Sequence, residues 1–170
     1  MQLSTSQTIP FVVQGPSAPP LAVNAEANLR LERKRILIAD DSLIILRALS
    51  MKLKSSGYDV LTAQDGAAAV STARRERPDL IVLDILFPPD VAHGGGVAWD
   101  GFLIMDWVRR LEGGKEIPII VITGGDPAQF KDRSLAAGAV AFFHKPINNE
   151  DLLATIRLAL ETPVANPKSE

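Results

Sequence analysis

The chain has 170 residues and a formal net charge of −2, so it is about one domain long and carries no strongly basic surface for nucleic acid. It has no Cys and only 2 His, which excludes disulfides, thiolate zinc sites, thiol nucleophiles and a histidine-rich metal cage. At 46% hydrophobic and 22% charged it has the balance of a soluble globular protein, and no apolar run approaches the ~20 residues that span a bilayer. No basic region followed by an apolar stretch marks a secretory leader, so the expected location is cytoplasmic, with no membrane and no nucleic acid among the partners.

Residues 1–33 place Pro10, Pro16, Pro19 and Pro20 among Ser, Thr, Gln and Ala, with no periodicity until Leu29. Such a stretch buries too little apolar surface to offset its ordering entropy and is predicted to be a mobile tail. The same holds for residues 162–170, with Pro163 and Pro167. Residues 34–161 are the predicted core.

Within that core, Ile36–Ala39 reads as a buried strand closed by Asp40-Asp41-Ser42. Leu43–Ser56 repeats Leu46, Leu49 and Leu53 at helical spacing and stops at Gly57. Asp59–Ala63 is β-rich, and Gly66–Glu76 is an alanine-rich helix. Leu80–Leu83 is a second buried strand, ended by Asp84. An irregular stretch runs to Trp99, followed by a helix over 100–112 that Gly113-Gly114 stops. Ile117–Ile122 is a third apolar run, ending at Thr123-Gly124-Gly125. Asp126-Pro127 supplies a cap and a first-turn proline for a helix reaching Gly138. Val140–Phe143 is the last strand, His144-Lys145-Pro146 follows, and a final helix covers 149–160.

Five β/α units result. Strands that are continuous aliphatic runs are buried on both faces, which predicts an α/β protein with a doubly wound parallel sheet. Ligands of such sheets bind beyond the carboxyl ends of the strands, where this chain places Asp40-Asp41, Asp84, Thr123 and Lys145. Three neighbouring carboxylates repel unless a cation neutralises them, and Mg²⁺ suits oxygen donors while keeping water positions open. An ammonium at Lys145, a hydroxyl at Thr123 and room at Gly124-Gly125 suit phosphoryl transfer. Without Cys or a suitable Ser-His pair, the best nucleophile is the central carboxylate, Asp84.

The set Asp40-Asp41, Asp84, Thr123 and Lys145-Pro146 resembles the receiver domain of two-component response regulators, over residues 34–160. The resemblance implies a flavodoxin-like sheet of order 2-1-3-4-5 with helices on both faces. It implies Asp84 as phosphoacceptor and Mg²⁺ held by Asp41, Asp84 and the backbone carbonyl of Leu86, with Asp40 acting through water. Lys145 would contact the phosphoryl group, the Lys145–Pro146 bond would be cis, and Thr123 and Phe142 would be the switch pair. Pro88 also fits the pattern. The phosphodonor would be a histidine kinase or histidine phosphotransfer protein, and the output a protein-binding face built from the fourth helix, fifth strand and fifth helix. A homodimer through that face fits the family as well. The tails are too short and polar for an output domain, so the expectation is a stand-alone regulator that catalyses only its own phosphorylation and dephosphorylation.

One departure is the Asp-Gly pair that opens the third helix. Here it is Asp100-Gly101, about twice as far beyond Asp84 as is usual in that family, and the extended loop contains Asp90, His93, Gly94–Gly96 and Trp99. Long loops beside active sites are commonly functional, so a flap over Asp84 is expected from residues 87–99.

Plainer readings stand beside these. Ser42 with its two aspartates also makes a helix N-cap. Thr123 is an ordinary strand end, Phe142 is plain core, Trp99 and Trp107 pack in or over the core, and His93 is a solvated loop residue. Gly94–Gly96 lacks nucleotide-loop spacing. Ile44 and Met51 sit off the leucine stripe, either partly buried at the helix edge or forming a docking patch for the phosphodonor. Two other functions remain: a Mg²⁺-dependent phosphatase with an aspartyl nucleophile, and a receiver-like module that is never phosphorylated. The phosphatase needs an acid two residues after the nucleophile, where this chain has Leu86. The scaffold leaves the crowded carboxylates without a purpose.

Overall fold

The computed structural model describes residues 33–87 and 100–162. The predicted tails, apart from Arg33 and Thr162, and the extended loop with Pro88, His93, the glycine run and Trp99 lie outside the described residues.

Five strands, β1 (Arg35–Ala39), β2 (Asp59–Ala63), β3 (Leu80–Asp84), β4 (Ile119–Thr123) and β5 (Ala141–His144), form a parallel sheet of order β2-β1-β3-β4-β5. Five helices connect or follow them: α1 (Leu43–Ser55), α2 (Gly66–Glu76), α3 (Gly101–Arg110), α4 (Pro127–Ala136) and α5 (Asn149–Glu161). This is the expected flavodoxin-like topology.

Strand alternation splits the core in two. Leu37, Ala39, Ile81, Leu83, Ile119 and Val121 pack with α2 and α3 through Ala69, Ala73, Ile104, Met105 and Val108. Ile36, Ile38, Leu80, Val82, Ile120 and Ile122 pack on the other face with α1 and α5 through Leu46, Leu49, Leu53, Leu152, Leu153 and Ile156. Successive strand residues point to opposite faces, so the unbroken aliphatic runs supply both layers at once. Burying each such side chain contributes roughly 1.5–3 kcal/mol, which fixes the three inner strands and, with them, the rim at their carboxyl ends.

The helix starts follow their caps. Ser42 Oγ accepts from Ile45 N at 3.5 Å, Asp65 Oδ1 from Ala68 N at 2.6 Å, Asp100 Oδ1 from Leu103 N at 2.7 Å and Asp126 Oδ1 from Ala128 N at 2.9 Å.

Several boundaries differ from the sequence expectation, most by a single residue. β4 begins at Ile119 and not Ile117, because Pro118 has no N–H to enter the ladder; its carbonyl still accepts from Ile81 N at 3.0 Å. β5 is shifted by one residue and ends at His144. α3 ends at Arg110 with Leu111 already extended, and Gly113 turns the chain with φ 72°. Arg109 explains that early stop. Its guanidinium donates to the carbonyls of Gly114 (2.9 Å), Lys115 (3.2 Å), Ile117 (2.7 Å) and Gly138 (2.9 Å), tying the α3–β4 loop to the α4–β5 loop. Burial pushes its pKa below the usual value for arginine.

Two burial expectations also fail. Ile44 and Met51 are 80% and 74% exposed, not partly buried, because the leucine stripe uses the opposite side of α1. Trp107 lies on the solvent side of α3, 45% exposed, where Ile104, Met105 and Val108 already fill the inward face.

Candidate functional site

The loops after β1 and β3 are adjacent because those strands are hydrogen-bonded neighbours. Asp40 directly follows β1 and Asp84 ends β3, and both are buried, at 0% and 3% exposure, while Asp41 is exposed. One carboxylate oxygen from each of Asp40, Asp41 and Asp84 lies within 4.8 Å of the others. Lys145 follows β5 across the sheet, and its Nζ donates to Asp40 Oδ2 at 2.6 Å and to Asp84 Oδ2 at 2.5 Å. The Lys145–Pro146 peptide is cis.

The second carboxylate oxygens of Asp40 and Asp84 are held by the backbone. Ser42 N donates to Asp40 Oδ1 at 2.9 Å, and Leu86 N donates to Asp84 Oδ1 at 2.9 Å. Ser42 thus caps α1 and orients Asp40 at once, so the plain capping reading and the site reading describe the same residues.

Burial raises the Asp40 pKa above 3.8; the Lys145 and Ser42 hydrogen bonds and the Lys145 charge oppose that, and the Asp84 charge adds to it. Burial alone would lower Lys145, but its hydrogen bonds to Asp40 and Asp84 and their charges together outweigh that and raise it above 10.5. The ammonium is therefore charged and clamped between two buried carboxylates.

Thr123 ends β4, fully buried, one residue beyond the partner of Asp84 in the ladder. Its Oγ1 accepts from Gly125 N at 3.2 Å, and its carbonyl accepts from Lys145 N at 2.8 Å. Phe142 pairs with Val121 and lies half-buried against the α2–α3 core layer. The rim thus brings together Asp40, Asp41, Asp84 and Lys145, with Leu86 beside them and Thr123 on the neighbouring strand. Phe142 sits on β5, three residues before the lysine.

Two packing features of this rim go beyond the sequence reading. A Cβ on Gly101 would collide with the Cα of Ile85 and come within 2.8 Å of the Asp84 carbonyl, so the first turn of α3 fits against β3 only with glycine there. Phe130 packs its ring where a Gly125 Cβ would stand, stacks on Phe102 at 6.5 Å, and Arg133 lies 3.7 Å over the Phe102 ring. The Asp100-Gly101 dipeptide signals the first. The second depends on how α3 and α4 meet, which no local pattern encodes.

A family model described as the response regulator receiver domain matches residues 36–157. The chain belongs to the response regulator receiver family. Among curated relatives, the alkaline phosphatase synthesis transcriptional regulatory protein PhoP of Bacillus subtilis is 34% identical over 138 residues, covering 81% of this chain and 53% of that protein. The DNA-binding dual master transcriptional regulator RpaA of a Synechocystis strain is 35% identical over 126 residues, covering 74% and 48%. The chain spans about half the length of these relatives.

Among solved structures, a CheY-like receiver domain from Methanospirillum hungatei superposes with TM-score 0.66 at 31% identity, covering 76% of this chain and 95% of that one. The receiver domain of sensor histidine kinase PA1611 from Pseudomonas aeruginosa has TM-score 0.66 at 27% identity, covers 76% and 99%, and carries a magnesium ion in its active site cleft. Receiver domains act as signalling switches and bind Mg²⁺ at an acidic site; the three aspartates here offer only hard oxygen donors and fit that ion. Among the described residues, no helix is long and apolar enough to cross a membrane.

Proposed function

We propose that this receiver domain accepts a phosphoryl group on Asp84 from a phosphohistidine of a histidine kinase or histidine phosphotransfer protein. The observation that carries this reading is Lys145 Nζ bridging Asp40 and Asp84 in a buried pocket. A scaffold gains nothing from two desolvated carboxylates and a desolvated ammonium, each of which costs stability unless paired. A carboxylate oxygen of Asp84 attacks phosphorus in line, the O–P bond forms as the P–N bond to imidazole breaks, and the leaving imidazole takes up a proton. Asp41, Asp84 and the Leu86 carbonyl would hold Mg²⁺, with Asp40 acting through water, and the ion would neutralise the charge gathering on the phosphoryl oxygens.

Lys145 then passes from its carboxylate partners to the transferred group. Thr123 gives up its 3.2 Å bond from Gly125 N and turns its hydroxyl to a phosphoryl oxygen. Phe142 follows, and the α4–β5–α5 face changes shape for a protein partner or a second copy of the chain. Catalysis is limited to the domain's own phosphorylation and dephosphorylation. On α1, the exposed Ile44 is the proposed contact for the phosphodonor.

Incubation with Mg²⁺ and acetyl phosphate, followed by intact mass measurement, tests the proposal. Wild type gains one phosphoryl group, while Asp84→Asn and wild type in EDTA gain none. No gain with a range of small donors, or equal gain in Asp84→Asn, overturns it.

A further inference from the structure

Much of the apolar surface that the fold leaves exposed lies on α1. Leu43 and Met51 stand on the side of that helix which turns toward β2, the strand at the edge of the sheet. There α1 and β2 line a shallow, open groove of about 410 Å³. Its wall includes Leu43, Arg47, Met51 and Lys54, whose spacings of four, four and three put them on one helical face. Val60 and Thr62 alternate along β2 and so share the face of the sheet that forms the floor. The groove therefore lies over side chains, not in line with the open backbone of the sheet edge, and calls for side-chain packing and not strand addition.

Its charges are one-sided. No acidic residue lines the groove, and its two charged side chains, Arg47 and Lys54, are both basic and exposed. On the same helix Lys52 already pairs with Glu150 at 2.6 Å, outside the groove. Seven residues of helix separate Arg47 from Lys54, about 10.5 Å along the axis. A helix lying beside α1 matches that distance with two carboxylates seven residues apart, and presents the apolar row between them to Leu43, Met51 and Val60. Met51 adapts its shape to such a row.

We propose that the α1–β2 groove docks an acidic amphipathic helix of a partner protein. The groove does not include Ile44 or any acidic residue of the rim, and the proposal does not rest on phosphorylation of Asp84.

The test uses the full chain and a fluorescein-labelled helical peptide carrying a leucine row flanked by two Glu seven residues apart, with a twin in which both Glu are Lys. Anisotropy gives affinity, and amide shifts in ¹⁵N spectra locate the site. The Glu peptide binds with Kd below about 1 mM and shifts amides in α1 and β2. The double variant Arg47→Glu/Lys54→Glu loses roughly tenfold or more in affinity for it and gains affinity for the Lys twin, as complementary charge requires. Both positions are exposed, so the variant keeps the wild-type melting temperature and, where wild type is labelled by acetyl phosphate, its labelling rate. Failure here is thereby separate from failure at Asp84. Binding weaker than that limit, shifts confined to the α4–β5–α5 face, or undiminished affinity in the double variant overturns the proposal. So does concentration-dependent self-association that broadens the groove amides, which assigns the groove to a second copy of the chain.

Discussion

Lys145→Met replaces the one ammonium of the pocket with an apolar side chain of similar length. In the wild type the Lys145 side chain is 17% exposed, and its ammonium is bonded at 2.6 and 2.5 Å to carboxylates that are almost wholly buried. Its removal leaves two desolvated carboxylates facing each other, and breaking a buried pair in this way costs about 3–5 kcal/mol. With a urea dependence near 2 kcal/mol per molar, the unfolding midpoint in EDTA at pH 7 falls by roughly 1.5–2.5 M. The gap between wild type and variant depends on pH at both ends. Asp40 already has its pKa raised above 3.8 by burial, and without Lys145 it rises further, so the variant recovers stability as pH falls and Asp40 binds a proton. Lys145 has its pKa raised above 10.5, so the stability it confers is fully present below 10.5 and is lost as pH rises through the higher folded value. Urea titrations from acid to alkaline pH should trace a gap widest near neutrality. A variant within about 0.5 kcal/mol of wild type at pH 7 refutes the reasoning.

Four further outcomes follow from the same geometry. Asp40→Asn removes a buried carboxylate whose raised pKa makes its ionised form costly above pH 3.8, so its melting temperature at pH 7 exceeds wild type while phosphorylation by acetyl phosphate is lost. Gly101→Ala drives a methyl into the backbone of Ile85 and Asp84, costing about 1–3 kcal/mol in denaturant titrations and slowing phosphorylation. Arg109→Met frees four carbonyls at once; chemical denaturation should show a loss of about 2–4 kcal/mol, and Arg109→Lys should not restore it, because one ammonium cannot span the α3–β4 loop and Gly138. Ile44→Glu changes an 80% exposed side chain, so thermal melting is unaltered and only transfer from a phosphohistidine donor slows, with acetyl phosphate labelling as the control.

The inner strands were legible because Ile36–Ala39, Leu80–Leu83 and Ile119–Ile122 are buried on both faces, and burial on both faces removes the polar alternation of a half-exposed strand. The rim was legible for a topological reason: a parallel sheet brings every strand's carboxyl end to one side, so Asp40, Asp84, Thr123 and Lys145 had to converge once the strands were placed. What remained hidden depends on three-dimensional closure. Arg109 reads as one more basic residue near a helix end, yet it gathers carbonyls from two loops. The Phe102–Phe130–Arg133 stack joins helices whose approach no local pattern encodes. Met51 and Ile44 look like helix-edge core residues in the one-dimensional pattern, because hydrophobicity alone does not say which side of α1 the leucine stripe leaves to solvent.

Phosphoryl transfer to Asp84 is the claim on which the switch rests, and its position can be read chemically. An acyl phosphate is reduced by borohydride to the alcohol, so an aspartyl phosphate becomes homoserine at the modified position. The 170-residue chain treated with Mg²⁺ and acetyl phosphate, reduced and mapped by peptide mass spectrometry, should carry homoserine in place of aspartate at residue 84, with Asp40 and Asp41 intact. Homoserine at residue 40 or 41, or at none of the three, contradicts the account.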